Sequence, residues 1–172
     1  MLNGSGLRVV LWLSGCDHNC ENCQNPQTHN PNSGIVFDKD SERELFEEID
    51  KNYISGLTIT GGDPLYHNNL EDVMKIITKF REKYNVIKQC EIDSLCKKNI
   101  WIYTGYTWEE IFSDKYEKNN LRQEIIKNCD VVVDGRYIES LRDTSLHWRG
   151  SSNQRVIDIK ETLKKGEIVV CC

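Results

Sequence analysis

Two hydrophobic periods alternate along the chain. Leu7 to Leu13 (LRVVLWL) is an almost continuous apolar run, the pattern of a strand buried on both faces of a parallel sheet. Leu57 to Thr60, Ile100 to Tyr103 and Val131 to Asp134 are shorter runs, each followed by turn residues. Between them the spacing becomes helical. Ser41 and Glu44 form a capping-box pattern for a helix whose Leu45, Phe46, Ile49 and Tyr53 share one face and which ends near Asn52-Tyr53. A longer helix, capped by Asn68 or Asn69, carries Leu70, Val73, Met74, Ile77, Phe80 and Tyr84 as its core stripe. Thr107 to Glu110 is a second capping box, and Leu121 to Lys127 a short helix with Leu121, Ile125 and Ile126 inward. Ile35 to Phe37 is expected as a short extended piece, and Asn85 to Asn99 as a loop with a helical turn. Leu141 to Asn153 is turn-rich. Arg155 to Ile159 and Glu167 to Val170 are expected as late strands around a polar turn at Lys164-Lys165-Gly166.

Strands alternating with helices predict an α/β fold with about five to six mainly parallel strands. A complete eight-fold barrel takes about 250 residues. At 172 residues the expectation is one domain spanning 1–172, a small open or partial (β/α) barrel. With 38% apolar and 28% charged residues the composition is that of an ordinary globular protein. A net charge of −5 argues against nucleic acid or an anionic membrane as the main partner. The run from Leu7 to Leu13, broken by Arg8, is too short for a signal peptide or membrane span, so a cytoplasmic protein is expected.

Eight cysteines are many for this length, and three of them change the picture. Cys16, Cys20 and Cys23 stand at C-x3-C-x2-C spacing in a loop from Ser14 to Pro26, directly after the first strand. Soft thiolates so clustered hold zinc or an iron–sulfur cluster rather than a disulfide framework. Zinc needs four ligands, so the fourth would be His18, His29 or a distant cysteine. A four-iron cluster on three cysteines instead keeps one iron open for a reacting ligand. The imidazole of His18 either bonds near the metal or lies on the loop surface. Cys90, Cys96, Cys129, Cys171 and Cys172 show no comparable spacing and read as ordinary reduced thiols. Gly61-Gly62-Asp63-Pro64 closes the second strand, where missing side chains let backbone approach a ligand and a carboxylate can accept from an ammonium group. No Ser/His/Asp set, paired carboxylates or phosphate loop accompanies these features; cofactor-borne chemistry needs none.

The cysteine loop resembles the signature of the radical S-adenosylmethionine (SAM) superfamily. The run Asn3-Gly4-x-Gly6-Leu7-Arg8 leading into Ser14-Gly15-Cys16-x-His18-x-Cys20 is similar, more narrowly, to the activating enzymes of anaerobic ribonucleoside-triphosphate reductase. So are Tyr103-Thr104-Gly105-Tyr106 and Arg149 to Arg155, so the resemblance spans about Asn3 to Arg155. It implies a partial barrel of the radical SAM type, with Cys16, Cys20 and Cys23 on three irons of a [4Fe–4S] cluster and SAM on the fourth. Gly61, Gly62 and Asp63 resemble the stretch that holds the methionyl amine, with Asp where the superfamily has Glu. Asn22, where an aromatic residue is common, implies that adenine is held by backbone near Asn22, Cys23 and Gln24. Asp134 and Arg136 resemble a SAM-contacting Asp/Lys pair of related activators, and an ordinary surface ion pair is the alternative. The implied activity is installation of a glycyl radical on the large reductase subunit, with a flavodoxin- or ferredoxin-type electron donor. Another glycyl-radical activator, a deazaguanine-forming enzyme and a non-catalytic zinc or iron–sulfur module remain the competing readings. Relatives of this type carry more chain before the Asn-Gly run, so a first edge strand or dimer contact is expected to be missing.

Overall fold

The structure, a computed structural model, describes residues 3–85, 98–113 and 119–171. The stretch 86–97 with Cys90 and Cys96, and Cys172, therefore lie outside the described residues. Five strands form one sheet in the order β1 (Arg8–Leu13), β2 (Gly56–Gly61), β3 (Asn99–Tyr103), β4 (Val131–Asp134) and β5 (Arg155–Asp158). The first four are parallel neighbours and β5 returns antiparallel to β4. Helices α1 (Lys39–Asp50), α2 (Leu70–Asn85), α3 (Trp108–Ile111) and α4 (Asn119–Lys127) lie between consecutive strands, and α5 (Ile159–Lys165) follows β5. Parallel neighbours require such crossovers, because a tight turn cannot reverse the chain twice. The α/β class, the five strands and their mainly parallel pairing agree with the sequence reading.

Strand residues alternate between the two faces. Val9, Leu11, Leu57, Ile59, Ile100, Ile102, Val132 and Ile157 meet Leu45, Ile49, Val73, Ile77, Phe80, Ile111, Ile125 and Ile126 from the helices. Each fully buried Ile or Leu there contributes about 1.5–3 kcal/mol by leaving water. The opposite face carries Trp101, Tyr103, Val131, Val133 and Val156, covered partly by Trp148 and Cys171. On that face the Arg8 guanidinium is bound by Thr58 Oγ1 and Asn99 Oδ1, both at 2.7 Å, and by the Leu57 and Asn99 carbonyls. It also lies over the Trp101 ring, and burial lowers its pKa to about 10. The Asn3–Arg8 run is thus a structural buckle between strands.

Several sequence expectations change. β1 is an edge strand with no fully buried residue, and Trp12 is 49% exposed, because only β2 pairs with it. Ile35 to Phe37 forms no strand and is exposed. Helix α1 begins earlier than Ser41, on Asp38, whose carboxylate accepts from the Asp40 and Ser41 amides. Tyr53 lies beyond the end of α1 and is exposed. The polar turn at Lys164–Gly166 is instead the end of α5: Asp158 caps it by accepting from the Glu161 amide, Ile159 and Thr162 are buried, and Gly166 terminates it at φ 72°. The segment after it makes only an isolated bridge from Val170 to Ile157. The capping box at Thr107 and Glu110 is present as expected.

Candidate metal centre and ligand cavity

The cysteine loop leaves β1 and is closed at its base by backbone pairing. Gly15 N donates to Thr28 O at 2.8 Å and Cys16 N to His29 O at 3.2 Å. Within it, Cys23 N donates to Cys20 O, while Asn19 and Asn22 take left-handed backbone conformations that Asn tolerates better than most side chains. The loop rests on the end of β2, where Gly62 N donates to Leu13 O and Asp63 N to Gly15 O. Any side chain at Gly62 would collide with the carbonyls of Gly15 and Thr28, at 2.4 and 2.8 Å from a Cβ.

Asp63 is the polar hub beneath the loop. Its carboxylate is 1% exposed and accepts from Leu65 N at 2.7 Å, Thr104 Oγ1 at 2.9 Å and Gly105 N at 2.9 Å, with His18 Nε2 at 2.7 Å. Thus one side chain joins the ends of β2 and β3 to the middle of the cysteine loop. The His18 ring also packs edge-on against Tyr106, whose hydroxyl accepts from Arg122.

Above this hub opens a cavity of about 300 Å³. Cys16, Cys20, Cys23, Gln24, Gly61 and Gly62 all line it, so six of the residues singled out in the sequence come together. Asn22, Asp63, Asp134 and Arg136 do not form its wall. Asn22 is exposed. Asp63 turns its carboxylate inward. Asp134, 1% exposed, accepts from Trp108 N at 2.7 Å and pairs with Arg155, which also forks onto Glu109. Arg136 is solvent-facing, 3.6 Å from Glu110. The wall also contains His18, a candidate from the sequence, and Tyr103, Arg149 and Gln154 from the two further runs that carry the family resemblance, together with Trp12 and Tyr137, which nothing in the sequence singled out.

The model of the 4Fe-4S single cluster domain family matches residues 2–157. An anaerobic ribonucleoside-triphosphate reductase-activating protein of Enterobacteria phage T4 is 38% identical over 155 residues, 90% of this chain and 86% of its own. The protein of the same name from Escherichia coli (strain K12) is 35% identical over 158 residues, 91% of each chain. The chain belongs to this family of reductase-activating, 4Fe-4S single cluster proteins. That of Vibrio cholerae is 32% identical, over 90% of this chain and 89% of its own. No solved structure matches the chain.

The residues present fit the family's cluster. Three cysteines face one cavity, and among the described residues no three His, Cys, Asp or Glu side chains converge closely enough for a single metal ion. A four-iron cluster takes such thiolates one to each of its irons. Burial raises the Cys16 thiol to about 11 and shifts Cys20 upward too. Among the described residues no helix is long and apolar enough to cross a membrane.

Proposed function

We propose that the protein is the activase of an anaerobic ribonucleoside-triphosphate reductase, built as a partial barrel of the radical SAM type in one domain over 1–172. Cys16, Cys20 and Cys23 would hold three irons of a [4Fe–4S] cluster, and SAM would occupy the adjoining cavity. When bound, the cluster supplies the single electron that cleaves SAM and leads to removal of a Cα hydrogen from a glycine of the reductase. The observation that carries this reading is the gathering of three cysteines and the Gly61-Gly62 turn on one cavity, at the carboxyl ends of parallel strands. Ligands of open α/β sheets bind at that edge.

The chain's own residues then have distinct tasks. Gly61 and Gly62 bring bare backbone to the cavity. Asp63 acts through its neighbours, holding His18, Thr104 and Gly105 in place beneath it. Asp134 and Arg155 fix the end of β4 against α3, which keeps Gly135 on the cavity wall. Tyr137 and Gln24 complete the cavity wall. A flavodoxin- or ferredoxin-type electron donor and a cytoplasmic setting accompany this reading.

The test is anaerobic reconstitution with iron and sulfide, then incubation with SAM, a reductant and the large reductase subunit. A glycyl signal by electron paramagnetic resonance is expected. Cluster-loaded protein that cleaves SAM but leaves the reductase without that signal would point to another radical SAM activity, and colourless protein holding one zinc would point to a non-catalytic module.

A further inference from the structure

Among the described residues, two buried side-chain polar atoms have no hydrogen-bond partner, Tyr103 Oη and Arg149 Nε. Both residues belong to the wall of the cysteine cavity. Buried donors without acceptors are rare in folded proteins, and a guanidinium N–H left unpaired is among the costliest. Both atoms are also shut off from solvent, so they mark wall residues whose hydrogen bonding is incomplete without a further partner.

Arg149 is placed there by design of its loop. Gln154 Oε1 accepts from the Gly150 and Ser151 amides at 2.9 and 3.2 Å, and Gln154 Nε2 donates to Gly135 O at 2.9 Å. One glutamine therefore folds the loop and ties it to the end of β4. Arg149 Nη1 donates to Gln154 O at 2.7 Å, and Trp148 beside it packs edge-on against Trp101 at 5.1 Å. Gly150 sits so close to the cysteine loop that a Cβ would lie 3.0 Å from Gln24 Nε2. Of the five N–H donors on a guanidinium, one is thus spent on the loop itself and Nε–H is held dry. Arg149 is also the one lysine or arginine among the described residues of the wall, which carries no Asp or Glu; the carboxylate that feels its charge, Asp143, lies outside that wall. Arg136 is exposed and faces Glu110 instead.

We propose that Arg149 binds the carboxylate of the ligand held in the cysteine cavity, which on the reading above is the aminocarboxylate end of SAM. A guanidinium fork suits a carboxylate in both charge and shape. The inference rests on SAM being the occupant, and its test separates the two.

Reconstituted protein is titrated by calorimetry with SAM and with decarboxylated SAM, alongside iron content and the charge-transfer absorption. In Arg149→Gln, SAM affinity should fall roughly ten- to hundredfold, while affinity for the decarboxylated analogue stays within about twofold. Arg149→Lys, which keeps the charge but not the fork, should lose less SAM affinity and likewise spare the analogue, so it serves where the Gln variant fails to fold. Undiminished SAM binding in either folded variant, or equal losses for both ligands, overturns the assignment of Arg149. Failure of the unsubstituted, cluster-loaded protein to bind SAM overturns the reading beneath it and takes this inference with it.

Discussion

His18 Nε2 lies 2.7 Å from Asp63 Oδ2, with both side chains shut away from water. His18 stands between the first two cysteines and Asp63 at the end of β2, so this contact fastens the middle of the cysteine loop to the sheet. The same carboxylate accepts from Leu65, Thr104 and Gly105. A group so fully engaged has no lone pair obviously free for a ligand amine. Its contribution is to the shape of the site.

Asp63→Ala should therefore unfold more easily as well as bind ligand less well. It strands the amides of Leu65 and Gly105, the Thr104 hydroxyl and the His18 ring, at a cost of about 3 kcal/mol or more. Asp63→Asn keeps the volume and most contacts and should cost less. Urea unfolding of the two variants beside the unsubstituted protein is the measurement; a midpoint for Asp63→Ala equal to that of the parent would show that the network carries no stability.

Cys16→Ala, Cys20→Ala and Cys23→Ala should each lose most bound iron and all SAM cleavage. Cys129 differs: it is fully buried in the helical core, where burial pushes its thiol pKa upward. Cys129→Ala should keep full iron content while losing about 1 kcal/mol of stability from the small cavity it leaves. Iron assay and thermal melting on the same preparations check both halves, and retention of iron by any of the three loop variants would reassign the ligands.

Much of the sheet was legible because strands buried on both faces leave short runs ended by turn residues, as in Leu57 to Thr60 and Val131 to Asp134. The misread pieces are those where neighbours, not period, decide. LRVVLWL looks central, yet β1 has a partner on one side only. Lys164-Lys165-Gly166 looks like a hairpin turn, yet Asp158 caps a helix that ends there. In the site, the three cysteines and Gly61-Gly62 were readable because spacing and missing side chains are local features. The inward turn of Asp63 and the arrival of Gly150 beside Gln24 depend on long-range packing that no local pattern records.

Acid should weaken the clamp at the end of β4. Hydrogen bonding to Arg155 holds the Glu109 carboxyl at about 2, below its usual 4.5. A folded-state pKa below the unfolded one means the stabilisation is fully present above about 4.5 and disappears as pH falls toward 2. Because the Glu109 side chain is 61% exposed, solvent screening reduces its worth to about 0.5–1 kcal/mol. Glu109→Gln should thus cost that amount at pH 7 and nothing near pH 2, seen in denaturant midpoints across the range. A constant difference between parent and variant at all pH values would remove the ion pair as its cause.

Gly62 offers the sharpest test of how the site is assembled. Its backbone conformation is ordinary, so strain in φ is not the issue; the space for a side chain is. A Cβ would sit 2.4 Å from Gly15 O and 2.8 Å from Thr28 O, two backbone atoms that cannot rotate away. These residues form the hydrogen bond that closes the base of the cysteine loop. Gly62→Ala must therefore push the loop outward, with overpacking of about 1–3 kcal/mol. Cluster uptake should suffer along with ligand affinity, because the ligating loop moves first. Gly34→Ala, whose Cβ meets only the Ser14 side chain at 3.1 Å, is the matched control and should take up iron normally. The readout is iron per chain after reconstitution, then SAM affinity on whatever fraction is loaded. Full iron with weakened SAM binding in Gly62→Ala would mean that the residue makes room for the ligand alone, and that the loop does not depend on its contact with β2.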